Sequence, residues 1–203
     1  MALDTHAGQK AALKNWIKRG DLDSYIPDFI ALSELHLARD LRLWGMETTA
    51  TLSTVSAAAN IPADMLEATR LSVVVANQVR PLLYVSAFQF ANTQTYTGNP
   101  ANYTTLNGQF VVSPQPVDGT ELSLTYFAKP AALSDTNQTN LWTQVAADAL
   151  LYGALVEAML FIKDENRATL WKQRYDGAVA KVQDTDERSQ SAGPMRIRAD
   201  NAR

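Results

Sequence analysis

The spacing of apolar positions changes period twice along this chain, from helical to strand-like and back to helical. His6 to Lys18 reads as a short helix with Ala11, Trp16 and Ile17 inward and His6 exposed near the terminus; Gly20-Asp21 stops it. Pro27 opens a second helix, where its missing N–H costs nothing. Ile26, Ile30, Leu37, Leu41 and Trp44 recur at helical spacing, Phe29, Leu32 and Leu43 broaden that face, and Gly45 is the expected stop.

From Met46 the pattern turns β-prone. The run from Glu47 to Ser56 alternates weakly, and Pro62 is expected to open a short helical turn. Leu71 to Val75 and Leu82 to Val85 read as strands around Asn77-Gln78, and Gly98-Asn99-Pro100 as a loop. Asn102 to Leu106 and Gln109 to Ser113 flank Asn107-Gly108, a strong short hairpin code because both turn residues tolerate positive φ. Pro114 and Pro116 end that strand, and Leu122, Leu124 and Tyr126 alternate through another.

Helical spacing then returns. Val145 to Ile162 is apolar all round, with Asp148 and Glu157 its only charges. At about 100° per residue these two fall on opposite sides, so no continuous polar face remains and the helix must be buried on all sides. Thr139 or Asn140 is its expected cap. Asp164-Glu165 opens a last helix whose stripe is Ala168, Trp171, Tyr175, Ala178, Val179 and Val182, packing on the buried helix as a hairpin. The run from Asp184 to Pro194 is expected to fray into a polar tail. The pattern predicts an α+β fold: a helical bundle (1–45 and 129–190), an inserted antiparallel β module (46–128) and an extended C-terminal tail (191–203).

Composition narrows the function classes. Hydrophobic content of 46% and charge content of 19% fit an ordered globular protein. No cysteine is present, which excludes disulfides, thiolate nucleophiles and zinc–thiolate sites. A membrane span is not expected, since Val145–Ile162 is barely long enough and carries two carboxylates. Net charge is −3, and the basic residues are scattered rather than striped, unlike a surface that grips phosphate. The nearest approach to a cluster is Arg188, Arg196, Arg198 and Arg203.

Candidate chemistry is sparse. His36 lies on the face of Phe29, Leu32 and Leu43 as a packing or subunit-contact histidine, and Asp40, four residues on, is the one carboxylate spaced to share a metal with it. Asp21 and Asp23 read as capping residues, and Asp148 and Glu157 as structural carboxylates that cannot serve one substrate from one helix face. Neither a nucleophile elbow nor a phosphate-binding glycine loop occurs. Tyr96, Tyr103, Phe110 and Tyr126 form either a carbohydrate platform or a sheet core.

The order of motifs resembles the head-to-tail adaptor, or head-completion, proteins of tailed bacteriophages. The resemblance runs through Tyr25-Ile26-Pro27-Asp28-Phe29-Ile30 with Glu34, the Ile61–Asp64 turn, Gly98, Pro100 and Tyr103, Gly108, Pro114 and Pro116, and Leu122-x-Leu-x-Tyr126. It continues through Leu133-Ser134, Thr139-Asn140, Leu150-Leu151-Tyr152-Gly153-Ala154-Leu155-x-Glu157-Ala158, Trp171 and Tyr175. It spans roughly residues 20 to 185; a proline expected before Asp148 is Ala147 here.

The resemblance implies a non-enzymatic virion protein, made in the host bacterial cytoplasm, with no cofactor and no membrane contact. It implies a ring, typically of twelve copies, between the portal protein and a tail or nozzle protein, which passes double-stranded DNA without gripping it. On that basis Tyr152, Gly153, Ala154, Glu157, Trp171 and Tyr175 are expected at helix-packing or subunit interfaces. Met195, Arg196, Ile197 and Arg198 are expected to contact portal or neighbour, and Tyr96, Tyr103 and Asn107 to face the tail protein. The rival readings are a carbohydrate or host-surface binding module and a cell-wall hydrolase using Glu or Asp.

Overall fold

The computed structural model describes residues 3–75, 78–91 and 96–191. The fold is α+β, and the chain divides into two compact units, Met1–Gly45 with Pro130–Arg203, and Met46–Lys129.

The first unit is a helical bundle. Its elements are α1 (His6–Ile17), α2 (Ile26–Asp40), α4 (Leu141–Val145), α5 (Ala147–Phe161) and α6 (Glu165–Ser191), while α3 (Ala87–Ala91) lies in the other unit. A 3-10 turn, Gly20–Tyr25, joins α1 to α2 and carries Asp21 and Asp23, which pair with Arg19 and Lys14. The core takes Leu13 from α1, Ile30 and Leu37 from α2, Trp142 from α4, and Leu150 and Leu155 from α5, each at most 2% exposed. Helix α5 packs against α1, α2 and α6, which buries most of its circumference.

Several local expectations are corrected here. On α1, Ala12, Leu13 and Ile17 face inward with Gln9, whereas Ala11 and Trp16 are exposed. His6 is buried, not exposed: its backbone N–H donates to the Gln138 carbonyl at 2.7 Å. Helix α2 stops at Asp40 rather than at Gly45; the Arg42 guanidinium donates to the carbonyls of Ala38 and Leu41, satisfying the helix end with a side chain. Leu41 and Leu43 are still buried, but Leu32 and Trp44 are exposed.

The long apolar helix is in fact two. Asn140 caps α4 in a capping box with Thr143, Ala146 leaves helical geometry (φ −139°, ψ 34°), and α5 begins at Ala147. Helix α6 runs to Ser191, past the expected fraying, because exposed polar residues still pair along it: Lys172 with Asp176 and Arg188 with Asp184.

The second unit holds two four-stranded sheets around one core. Its strands are β1 (Glu47–Ser53), β2 (Ala58–Asn60), β3 (Met65–Val75), β4 (Gln78–Pro81), β5 (Leu83–Tyr84), β6 (Asn102–Leu106), β7 (Gln109–Ser113) and β8 (Glu121–Ala128). The orders are β1-β8-β3-β4 and β2-β7-β6-β5. Alternation on β8 buries Leu122, Leu124 and Tyr126, and Leu124 faces Leu71 while Leu122 faces Val73 across the β3 ladder. Phe110 and Val112 complete the core from the other sheet.

The Asn107-Gly108 hairpin forms in the expected register, with φ of 50° and 73° at the two turn residues. Elsewhere the module departs from expectation. Pro62 opens a non-helical turn, β3 begins at Met65, and β4 rather than Leu82–Val85 returns along β3. Leu83–Tyr84 joins the other sheet parallel to β6, so the module is mixed rather than wholly antiparallel, and a short helix α3 (Ala87–Ala91) follows it.

Candidate functional site

Helix α5 is closed on one side by an unusually near approach. A Cβ at Gly153 would lie inside 3.0 Å of the Ser33 Oγ, and 3.2 Å from the Ser33 Cβ and the Tyr175 Cε2. Ser33 is held there because its hydroxyl donates to the Leu150 carbonyl at 2.9 Å, in full burial. Ala154, next on α5, is 1% exposed.

A groove of about 650 Å³ opens along α5 from that point. Its floor is Gly153, Val156, Leu160 and Ala168, and its walls are α2, with His36 and Asp40, and α6, from Glu165 to Tyr175. Glu157 lies 3.2 Å from the His36 Nε2 through its Oε1. Asp40 accepts a hydrogen bond from the Tyr175 hydroxyl at 2.8 Å. Burial, aided by that bond and by the Asp40 charge, pushes the Tyr175 phenol well above its ordinary range. His36 and Asp40 thus have different partners rather than a shared one, and among the described residues no group of three or more metal-ligating side chains is assembled.

An aromatic trio lies on the same unit. Trp171 stacks on Tyr152 (centroids 5.9 Å apart, planes 20° apart), Trp16 lies 5.1 Å from Trp171, and the Arg174 guanidinium sits 5.1 Å over the Trp171 ring. Trp16 is 45% exposed, so the trio presents aromatic surface outward. Trp16 was expected in the core; its rings-together arrangement depends on α6, far along the chain, and no local spacing signals it.

Glu34 carries part of the resemblance, but sequence reasoning gave it no role. It is buried, and its carboxylate accepts from the Leu133 N–H (3.2 Å) and the Asn140 Nδ2 (2.6 Å), tying the segment before α4 to α2. Its spacing, four after Ile30 and three before Leu37, was the available signal, because it places Glu34 on the inward stripe.

In the β unit the three expected contact residues do not form one cluster. Tyr103 is half-buried between Tyr84 and Phe110, and burial raises its phenol. Asn107 stands at the hairpin tip, roughly 13 Å along the strand from Tyr103 at strand rise. Tyr96 is exposed beside Gln115, at the opposite end of the hairpin. Leu83, Tyr84 and Phe88, on edge strand β5 and α3, are large apolar side chains exposed on this unit. Met195, Arg196, Ile197 and Arg198 lie outside the described residues.

A packed bundle with an open groove, an aromatic trio and an apolar sheet edge has the surfaces of an assembly protein. The family model of the SU10 adaptor protein matches residues 5–198, and the chain belongs to that family of phage adaptors. No curated protein matches the chain significantly. The family is a structural one and not an enzyme class. Among the described residues no helix is long and apolar enough to cross a membrane.

Proposed function

We propose that this chain forms the adaptor ring between a phage portal protein and a tail or nozzle protein, at the head–tail interface of the virion. In this reading the helical bundle makes the ring wall, the β unit faces the tail protein, and the segment carrying Met195 to Arg198 contacts portal or neighbour. A twelve-copy ring would carry the DNA channel onward, and a net charge of −3 suits a conduit that must not hold phosphate.

The observation that carries the reading is exposed apolar surface on both units of a phage adaptor. Tyr25, Leu160 and Phe161 are 43–51% exposed on the helical unit, and Leu83, Tyr84 and Phe88 are 63–80% exposed on the β unit. Side chains of this size at such exposure fit surfaces that partners cover.

The test is electron microscopy of purified portal rings mixed with the full chain. An added layer below the portal with matching symmetry is expected, and portal rings unchanged in length and mass would overturn the reading.

A further inference from the structure

The groove along α5 has an apolar floor and an acidic rim. Asp40, Glu157 and Glu165 stand on it with His36, 3.2 Å from Glu157, and one lysine, Lys172, whose ammonium is paired with Asp176. Leu160, on the floor, is 51% exposed despite sitting on the most apolar helix of the chain. The chain itself contains a segment of opposite character: Met195-Arg196-Ile197-Arg198, in which apolar and basic residues alternate. In extended form, such a run sets Met and Ile on one face and both arginines on the other. The apolar face matches Val156, Leu160 and Ala168, and the arginines match the rim carboxylates.

Reach decides which copy supplies the segment. Along α6 the level of Tyr175 lies about 24 Å back from Ser191, and that of Glu165 about 39 Å, at 1.5 Å per residue. A fully extended backbone carries residue 196 at most about 18 Å from Ser191 and residue 198 about 25 Å. A chain folding back on its own helix therefore cannot lie along the groove. We propose that the α2–α5–α6 groove of one copy receives the Met195–Arg198 segment of a second copy. The contact is heterologous, groove to segment, and repeats around a closed ring. This rests on the adaptor-ring reading and replaces "portal or neighbour" with the neighbour.

The absence of cysteine makes a direct test available. Full chains carrying Thr169→Cys, on the groove wall, and Ile197→Cys are mixed in equal amounts, assembled on portal rings and oxidised gently. The expected product is a 169–197 disulfide between copies, at about ten times the yield obtained when Gly177→Cys, an exposed position on α6 outside the groove, replaces Thr169→Cys. Equal yields on rings that co-sediment with portal would overturn the docking and leave the adaptor reading standing. Failure of the unsubstituted chain to co-sediment would overturn both. As a second arm, Glu165→Lys should weaken assembly about tenfold, and adding Arg198→Glu to the same chain should restore it; no restoration counts against the charge match.

Discussion

The two units are closed in different ways. The helical unit is tied by polar groups far apart in the chain: Gln9 donates to the Ala147 carbonyl, Ser33 to that of Leu150, Tyr175 to Asp40, and Asn140 to Glu34. The β unit is closed largely by sheet pairing and by alternation, as in the Leu71–Leu124 and Val73–Leu122 pairs and the Asn107-Gly108 turn. A core of the first kind depends on close approach and on satisfying each buried polar group; one of the second kind depends on pattern. A probe can tell them apart. All four tryptophans, at 16, 44, 142 and 171, belong to the helical unit, so tryptophan fluorescence reports that unit and circular dichroism reports both.

The largest effect is expected where approach is closest. Gly153→Leu drives a branched side chain into Ser33 and Tyr175 and should cost at least about 3 kcal/mol, or prevent folding. Urea unfolding followed by fluorescence measures it. Gly153→Ala should be milder, and Ser33→Ala in the same chain should recover part of the loss by removing the hydroxyl oxygen. A neutral Gly153→Leu would break the claim that the helical core is set by near contact.

Next in size is Glu34→Ala, which leaves the Leu133 N–H without its acceptor and the Asn140 Nδ2 with the Ala131 carbonyl alone; the expected cost is about 2 kcal/mol. A loss below about 0.5 kcal/mol would show that the long-range ties are incidental. Smaller again is Asn107→Ala. Asn tolerates the left-handed geometry at φ 50° better than Ala does, so the change should cost about 1 kcal/mol while Asn107→Gly stays near neutral. Where the units unfold separately, the dichroism transition of Asn107→Ala moves and the fluorescence transition does not. Equal shifts in both would mean that the two units unfold as one.

The same contrast governs what the chain's pattern made legible. The fold class, the hairpin register, the buried alternation at Leu122, Leu124 and Tyr126, and the opening of α6 at Glu165 all rest on signals within a few residues. The break at Ala146 was hidden because nothing apolar distinguishes a helix from two short ones with one bad junction. Trp16 and His6 were misplaced because their neighbours, Trp171 and Gln138, come from distant parts of the chain. The pairing of β5 parallel to β6 is likewise non-local in kind, since a two-residue strand carries almost no pattern. The groove was visible only in part: the apolar circumference of α5 was legible, but not that α1, α2 and α6 leave Asp148, Leu160 and Phe161 exposed and open a groove beside Gly153, Val156 and Leu160.

The smallest expected effect sharpens the comparison through pH. His6 is buried against the 134–138 loop, and its imidazole pKa is held below the ordinary 6.5, first by burial and then by the Lys10 charge, with Asp135 and the Ser134 backbone acting the other way. The neutral ring is therefore the native form. Above pH 6.5 His6 is neutral both folded and unfolded, and its contribution to stability is complete. As pH falls from 6.5 through the depressed native value, the unfolded chain takes up the proton first and stability declines. Asp135 does not confuse the window, because Lys10 pulls its carboxyl below 3.8, so it protonates at lower pH. His6→Gln should flatten the fluorescence-detected slope of stability against pH just below 6.5 and leave the slope near pH 3 to the carboxylates. A slope unchanged by the substitution would mean that another group carries it, and that the buried tie of α1 is not proton-sensitive.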